Sequence, residues 1–412
     1  MTARLPVAFI LATVLIDAMG VGLILPVMPE LIREVRGADL GQAAVWGGLL
    51  ATAFAVMQFI AGPTLGSLSD RFGRRPVLLV SLTALALDYL VMAVAGTIWL
   101  LLAGRIVGGV TAATHSTAMA FMADVSKPED KAANFGLIGA AFGLGFVVGP
   151  LLGGVLGAWG TRAPFYAAAL LAAANAAFGW FVMPETVTDR TRRPFLWRRA
   201  NPLGAFRHIG ALPGLKPLLL LSFVYSVAFF VYPAIWAYYG QARFGWGPGM
   251  VGLSLGLYGV MVAVVQGLLM RPILRRIGEA RAVMLGLWIE VAAFLVLALT
   301  GDGRVALAFT FLAAFGSISG PALQGIMSRS AADDQQGELQ GTLTAINAVA
   351  IIVAPLMMTQ IFWYFTTGPA PFALPGAPFL LSALLTVICV WLFARARPGI
   401  ALESQSRPAS RT

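Results

Sequence analysis

Apolar residues fill twelve long runs along the chain, and a short polar interval separates each run from the next. Each run holds about 20 residues, the length at which an α-helix crosses the ~30 Å hydrocarbon layer of a bilayer. We therefore expect an all-α membrane protein with twelve transmembrane helices. The pattern predicts these spans over residues 5–29, 45–66, 77–96, 99–121, 134–158, 164–183, 217–240, 249–270, 282–300, 304–328, 339–363 and 377–395.

The composition also indicates a membrane protein. Hydrophobic residues make up 59% of the chain and charged residues 11%, and the mean hydropathy is +0.83. Soluble domains carry about 25% charged residues, so a soluble globular fold is excluded. The first apolar run is too long for the core of a signal peptide and has Asp17 at its centre, which favours a spanning helix. Cys389 is the single cysteine, so the chain forms no disulfide within itself.

Basic residues are unequally distributed between the two membrane sides that the span count defines. The side of the N-terminus holds 22 of the 28 Lys and Arg residues, the opposite side holds five, and Arg105 lies inside a span. We call the first side the basic side. Because basic loops are retained in the cytoplasm, we expect both termini to be cytoplasmic, in a bacterial inner membrane. The net charge of +10 arises from these loops, so no nucleic-acid partner is expected.

The longest polar interval follows the sixth span and divides the chain into two halves. We expect a six-helix bundle over residues 1–183, a cytoplasmic linker over 184–216, a second six-helix bundle over 217–395 and a tail over 396–412. The halves form two pseudo-symmetric bundles in this interpretation. A substrate site near the middle of the membrane, between two such repeats, is a common plan of transporters.

Short segments recur between the halves at similar spacings, and one of them, Met57-Gln58, recurs as Val265-Gln266 at an offset of 208 residues. The Val-Gly-Pro segment at 148–150 recurs as Val-Ala-Pro at 353–355, an offset of 205 residues. Gly73 recurs as Gly278 at the same offset. The shared offset indicates that the second half is a duplicate of the first.

A short charged turn joins the second and third spans. Arginine there has a plain explanation in topology, since it keeps a loop in the cytoplasm. Topology needs no aspartate and no glycine, however, and these favour a gate in which the arginines pair with an acid at the end of the fourth span. The candidate gate residues are Gly66, Asp70, Arg71, Gly73, Arg74, Arg75 and Asp124.

The fifth span is rich in glycine at intervals of four residues. Small residues four apart form a smooth ridge on which another helix packs closely, and a proline inside the helix removes a backbone hydrogen bond and permits a bend. Ordinary helix packing is the alternative to a functional role. The residues concerned are Gly145, Gly149, Pro150, Gly153 and Gly154.

Four ionisable residues lie inside predicted spans: Asp17, Asp88, Arg105 and Glu290. A charge at the bilayer centre costs roughly 2.5–3.5 kcal/mol on insertion scales, and such residues usually mark ion pathways. A carboxyl group in a water-poor site accepts a proton nearer to neutral pH than one in water, so these acids are candidates for proton coupling. We expect Arg105 to pair with Asp17. A static ion pair that fixes helix packing is the alternative, and for Glu290 contact with substrate is equally open.

Several polar and aromatic side chains inside spans are candidate substrate contacts. Amides, imidazole and phenol groups also join helices by hydrogen bonds, so the packing alternative stays open for each. The candidates are Gln58, His115, Tyr225, Tyr258, Gln266, Gln324 and Asn347. With Tyr225 and Tyr258, Tyr232 and Trp236 could form an aromatic wall, although Trp236 could instead lie in an interfacial belt.

The sequence contains no motif for an enzyme or a primary pump. It has no P-loop string, no cluster with metal-ligand spacing and no arrangement for hydrolysis. We therefore expect a protein that is not an enzyme, binds no metal or other cofactor and functions as a monomer in the bilayer.

Specific strings in the chain resemble those of the tetracycline–proton antiporters, a family in the drug:proton antiporter branch of the major facilitator superfamily. The charged turn resembles the superfamily's signature loop between helices 2 and 3, and residues 143–154 resemble the helix-5 signature of its proton-driven antiporters. The further matching segments are 15–29, 69–79, 87–89, 104–107, 243–246, 321–325 and 335–341.

This resemblance implies proton-coupled efflux of an amphipathic drug, of tetracycline type or broader, by rocker-switch alternating access. It places Asp17, Asp88, Arg105 and the turn of Asp70 at the family's essential charged positions, and Glu290 where the family has an aspartate. The family's helix-8 histidine and helix-7 glutamines correspond to Val262, Ser226 and Phe230, so the second half is expected to be less polar. Export of a native metabolite, such as a sugar or a siderophore, is the alternative function.

Overall fold

A computed structural model of the chain describes residues 4–112, 114–127, 130–189, 192, 195, 201 and 213–406. In this part of the chain the secondary structure is helical throughout, and twelve helical segments are long and apolar enough to cross a membrane, which confirms the predicted fold class. The segments are Leu5–Ile24, Leu40–Phe72, Arg74–Val94, Ile98–Val125, Ala133–Gly157, Ala163–Val182, Lys216–Phe244, Pro248–Ile277, Glu279–Leu299, Gly303–Ser330, Gln336–Thr366 and Ala377–Ala396.

Several spans consist of two consecutive helices, so the α-helices of the described residues outnumber the spans. They are α1 (Arg4–Ile24), α2 (Met28–Arg36), α3 (Leu40–Phe72), α4 (Arg74–Val94), α5 (Ile98–Thr111), α6 (Thr114–Val125), α7 (Lys131–Gly157), α8 (Ala163–Val182), α9 (Lys216–Phe229), α10 (Val231–Phe244), α11 (Pro248–Val264), α12 (Met270–Ile277), α13 (Glu279–Leu299), α14 (Gly303–Gly316), α15 (Ser319–Ser330), α16 (Gln336–Thr366) and α17 (Ala377–Ser406). A π-helical turn, Val265–Leu269, joins α11 to α12.

Prolines account for two of these interruptions. Proline has no N–H and its ring collides with the carbonyl group four residues earlier, so a helix kinks or breaks there. Helix α9 ends at Phe229, four residues before Pro233, and α14 ends at Gly316, five residues before Pro321. The seventh and tenth spans are therefore broken near their middles.

The first span is shorter than predicted and the second is longer. Helix α1 ends at Ile24 rather than Pro29, because Pro26 disfavours helical geometry in the residue before it. The chain turns and forms α2, a short helix that the hydropathy pattern did not reveal. The second span begins at Leu40 instead of residue 45, because the side chain of Asp39 accepts a hydrogen bond (2.8 Å) from the amide of Gln42 and caps the helix.

The helices group into two compact units. The first comprises Met1–Pro202 with Gly240–Gly259, and the second comprises Leu203–Tyr239 with Val260–Thr412. The predicted bundle and linker boundaries stay a prediction, and most of the linker lies outside the described residues. In the first unit a core forms around Phe9, Phe121 and neighbouring apolar side chains, and the second has its own core around Leu221 and Phe393.

The helix bounds reproduce the offset seen in the sequence. Helices α4, α5 and α6 begin and end 205 residues before α13, α14 and α15 respectively, at every one of the six ends. The duplication therefore extends to the residue-by-residue register of these helices.

Candidate functional site

The first unit contains a buried ion pair inside the membrane-spanning region. A guanidinium nitrogen of Arg105, on α5, donates a hydrogen bond to Oδ2 of Asp88, on α4. The carboxylate of Asp88 is fully buried, and the Arg105 side chain is 10% exposed. The guanidinium also lies over the ring of Phe54, 4.9 Å from its centre. The expectation that Arg105 pairs with Asp17 is wrong, because Asp88 holds that place.

Two glycines of α5 make room for this carboxylate. A Cβ atom at Gly108 would lie 2.6 Å from Oδ2 of Asp88, and one at Gly104 would lie 2.9 Å from Oδ1, distances that real Cβ atoms do not show. Among the described residues, Oδ1 of Asp88 and Nε of Arg105 find no hydrogen-bond partner. A buried polar atom without a partner is costly. Oδ1 of Asp88 is therefore suited to accept a proton or a hydrogen bond, and Nε of Arg105 to donate a hydrogen bond to a water molecule or a polar group of a substrate.

Asp17 lies on α1, part-buried, and belongs to the same neighbourhood through Tyr89. The ring of Tyr89 packs against Gly20, where a Cβ atom would lie 2.9 Å from Cζ. Tyr89 is buried and directly follows Asp88 in the chain, and Asp17 lies three residues before Gly20, on the same face of α1. Contact between Gly20 and Tyr89 therefore brings the α1 face of Asp17 to the segment of α4 that holds Asp88.

Glu290, on α13 in the second unit, has a different environment. Its side chain is buried, and Oε1 accepts a hydrogen bond of 2.9 Å from the hydroxyl of Tyr225 on α9. Gly316, the last residue of α14, leaves room for it, since a Cβ atom there would lie 3.2 Å from Oε1. Oε2 finds no hydrogen-bond partner among the described residues. The structure thus brings together two predicted site residues, Tyr225 and Glu290.

The remaining candidate substrate residues lie on several helices of the two units. Nε2 of Gln266, in the π-helical turn, donates to Oγ of Ser317 at 3.4 Å, and Nε2 of Gln324 donates to Oε1 of Gln340 at 3.1 Å. These bonds match the packing alternative. Gln58 on α3 and Asn347 on α16 are exposed, and Tyr258 on α11 is part-buried, so their role in substrate binding stays a prediction. The side chain of His115, on α6, lies outside the described residues.

The aromatic side chains of α9 and α10 form a continuous stack in the second unit. Ring centres lie 6.2 Å apart for Tyr225 and Phe229, 5.8 Å for Phe229 and Tyr232, and 6.0 Å for Tyr232 and Trp236. Trp236 is only 3% exposed and packs against Phe379. These contacts favour the aromatic wall over the interfacial belt for Trp236. The stack ends at Tyr225, whose hydroxyl contacts Glu290.

The charged turn forms a network centred on Arg74. Its guanidinium lies 2.6 Å from Oδ1 of Asp70 and 3.3 Å from Oδ2 of Asp124 at the end of α6. Arg71 instead lies over the ring of Phe72, and Arg75 donates to the backbone carbonyl of Trp180 at 2.7 Å. The expected pairing with Asp124 is confirmed for Arg74 and is wrong for the other two arginines.

Glu185 is part of this network, and the sequence reasoning missed it. Its carboxylate accepts hydrogen bonds from the amides of Arg74 (2.9 Å) and Arg75 (3.2 Å), at the first turn of α4, where a negative charge is favourable. Two features require glycine at position 73. Its φ is +113°, which other residues rarely adopt, and a Cβ atom would lie 2.6 Å from Cδ of Glu185. A Pro-Glu-Thr string directly after the sixth span was the available signal, but its position suggested only the start of the linker.

The glycine ridge of α7 has two faces, both within the first unit. Gly145, Gly149 and Gly153 face the backbone of α1, and a Cβ atom at Gly149 would lie 2.6 Å from the carbonyl oxygen of Met19. Gly154 faces α11, where a Cβ atom would lie 2.8 Å from the carbonyl oxygen of Pro248. Pro150 lies inside the helix and contacts Gly22 and Gly252. The ridge thus allows two helices to approach α7 at backbone distance.

Twelve spans, two repeated helix registers and a charged turn clamped to the end of the fourth span together characterise a solute carrier. A family model described as the Major Facilitator Superfamily matches residues 10–266 and 218–411. The chain belongs to the Major Facilitator Superfamily. The fold and the family are those of transporters, and the resemblance seen in the sequence motifs is confirmed.

Curated and solved members of the superfamily align along nearly the whole chain. The tetracycline resistance protein, class C, of Escherichia coli is 40% identical over 92% of this chain and 94% of its own length. The class G protein of Vibrio anguillarum is 38% identical over 92% of this chain and 95% of its own. The crystal structure of the human organic anion transporter MFSD10 (TETRAN) has a TM-score of 0.69 at 26% identity and covers 95% of this chain and 100% of that chain.

Proposed function

We propose that this membrane protein exports an amphipathic drug of tetracycline type, or a broader set of such drugs, in exchange for protons. The observation that carries the proposal is the buried Asp88–Arg105 pair, in which one carboxylate oxygen and one guanidinium nitrogen have no partner among the described residues. Buried ionisable groups of this kind are expensive in a membrane and usually belong to an ion pathway. The similarity to the two tetracycline resistance proteins supports the choice of substrate.

The cycle that fits these residues is alternating access by a rocker switch. A proton taken up from outside binds in the cluster of Asp17 and Asp88 and weakens the attraction between Asp88 and Arg105. The carrier then opens to the other side, releases the proton and binds drug. The proton gradient supplies the free energy, so no cofactor is needed, and one chain suffices as the transporting unit.

Orientation follows from the charge distribution. The basic side faces the cytoplasm in this proposal, both termini lie there, and the membrane is the bacterial inner membrane. The turn around Arg74 then works as a gate at the cytoplasmic end of the pathway. Drug is bound from the cytoplasm or the inner leaflet and released on the opposite side.

The second half is expected to contact the drug. Val262, Ser226 and Phe230 make it less polar, and the aromatic stack beside Glu290 offers flat apolar surfaces. An amphipathic aromatic compound fits such a surface better than a sugar does, because a sugar needs many polar partners. Export of a native metabolite is therefore not favoured.

Proton release from the purified protein on addition of tetracycline tests the proposal. We expect the wild type to release protons and Asp88→Asn to release fewer than about a tenth as many, because an amide takes up no proton. Asp189→Asn is the matched control, since the side chain of Asp189 is 96% exposed and lies outside the spans. It should release as many protons as the wild type.

A panel of other lipophilic drugs, added in the same way after tetracycline, separates the possible outcomes. Release with other lipophilic drugs but not with tetracycline would keep the antiport and change the substrate. Undiminished release in Asp88→Asn would remove Asp88 from the coupling site. Absence of release with every compound would contradict the proposed function.

A further inference from the structure

The second unit has a charged turn of its own on the basic side. Gly278, with φ +76°, precedes α13 just as Gly73 precedes α4. The carboxylate of Glu279, the first residue of α13, forms an ion pair with the guanidinium of Arg329 near the end of α15. Gly325 lies beside both side chains, since a Cβ atom there would be in ordinary van der Waals contact with Glu279 (3.7 Å) and with Arg329 (3.8 Å).

The repeat register equates this pair with the gate pair of the first unit. Glu279 lies 205 residues after Arg74, and Arg329 lies 205 residues after Asp124. Each unit thus ties the first turn of one helix to the last turn of another at the same place in the fold. The signs are exchanged: the first unit has arginine on the first turn and an acid on the last, and the second unit has the reverse.

Neither topology nor stability explains the second pair. A glutamate does nothing to retain a loop on the cytoplasmic side, where only lysine and arginine count. Arg329 is 61% exposed and Glu279 is 27% exposed, and ion pairs between such exposed groups contribute about 0–1 kcal/mol to stability. A pair that stabilises so little, and that still lies in the register of the gate, points to a role in movement.

We propose that Glu279 and Arg329 form a second latch, which holds α13 against α15 while the carrier changes state. The inference rests on the proposed transport function and adds two residues to its gate. A latch controls the rate at which states interconvert and leaves drug affinity within one state almost unchanged. The pair is therefore a positioning device, in contact with neither drug nor proton.

A charge exchange within the pair tests this inference. Arg329→Glu places two acids together, Glu279→Arg places two guanidinium groups together, and the double variant restores attraction with reversed signs. We expect each single variant to lower the turnover of drug–proton exchange in proteoliposomes about tenfold, equal to about 1.4 kcal/mol, with the Kd for drug unchanged within about twofold. The double variant should recover at least about half of the turnover, a rescue that general loss of structure would not show.

Two controls keep the result interpretable. Arg281→Glu makes the same change of charge at an exposed residue of α13 outside the pair, and it should match the wild type. Arg329→Gln removes the attraction to Glu279 without adding repulsion, and it should slow turnover about threefold. It replaces Arg329→Glu as the test variant if that protein fails to fold.

The outcomes distinguish the latch from the transport function. If the wild type exchanges no drug for protons, the proposed function fails and the latch falls with it. If the wild type transports and the single variants are no slower than Arg281→Glu, the latch is overturned while transport stands. A double variant as slow as either single variant, or a loss confined to drug affinity, would also overturn it.

Discussion

In the first unit the buried carboxylate of Asp88 faces a guanidinium from the next helix, whereas in the second unit the buried Glu290 accepts a hydrogen bond from the hydroxyl of a tyrosine. The helices that hold them have the same register, yet the chemistry differs. At an offset of 205, Asp88 corresponds to Ala293 and Arg105 to Thr310. Glu290 in turn corresponds to Leu85 of the first unit.

The difference shows which part of a duplicated carrier is free to specialise. The helix ends keep an ion pair in both units, with exchanged signs, whereas the membrane-buried middles share no ionisable residue. A paired charge suits an ion pathway, and an acid beside aromatic rings suits contact with an amphipathic drug. The comparison therefore supports a first half that handles protons and a second half that handles the substrate.

Removal of the guanidinium is expected to have the largest effect on this contrast. Arg105→Ala leaves the fully buried carboxylate of Asp88 without its opposite charge, which costs about 3–5 kcal/mol. We expect a marked fall in the thermal unfolding midpoint in detergent, together with loss of proton release.

The repeat supplies the control for that variant. Thr310 is the counterpart of Arg105, and its hydroxyl only donates to the carbonyl of Ala306 in its own helix, at 2.8 Å. Thr310→Ala should therefore cost no more than about 1 kcal/mol. Equal losses in the two variants would mean that the Asp88–Arg105 pair is no stronger than a local hydrogen bond.

A methyl group beside the carboxylate is expected to have an intermediate effect. In Gly108→Ala the new Cβ atom would lie 2.6 Å from Oδ2 of Asp88, and such overpacking costs about 1–3 kcal/mol. Proton release should fall with the unfolding midpoint. Ala313, the counterpart of Gly108, shows that this helical position accepts alanine where no acid faces it.

Gly139→Ala, in α7, is the matched control, because nothing lies within 4 Å of the added atom. Alanine is favoured over glycine in a helix by roughly 0.5–1 kcal/mol, so this variant should be as stable as the wild type or more so. If Gly108→Ala behaves in the same way, α5 and α4 are not packed as closely as the structure shows.

Much of the fold could be predicted from the sequence, because hydropathy and length determine a spanning helix locally. All twelve spans were predicted, and the breaks at Phe230 and Ser317 could have been, since a proline follows three or four residues later. The break after Thr111 has no proline near it, and α2 is too short and too polar to appear as an apolar run.

The partners in the site could not be predicted, because a sequence gives the depth of a residue but not the direction it faces. At 1.5 Å per residue, Asp17 and Asp88 lie at nearly equal depths, ~18 and ~16 Å from the basic side. Depth alone could not choose between them as partners of Arg105. Gly104 and Gly108 decide the choice by opening the surface of α5 towards α4, and only the packed helices show this.

The smallest effect is expected in the second unit, where Tyr225→Phe removes the one hydrogen bond that Glu290 accepts among the described residues. The loss should be about 1 kcal/mol, well below that of Arg105→Ala, since no charge loses its counter-charge. If Glu290 contacts the drug, the Kd for drug should rise severalfold while proton release at saturating drug persists. Tyr238→Phe is the control, because the buried hydroxyl of Tyr238 finds no partner among the described residues, and its removal should be neutral. A loss in Tyr225→Phe as large as in Arg105→Ala would mean that both units hold their acids equally tightly, and the proposed division of labour between the halves would not hold.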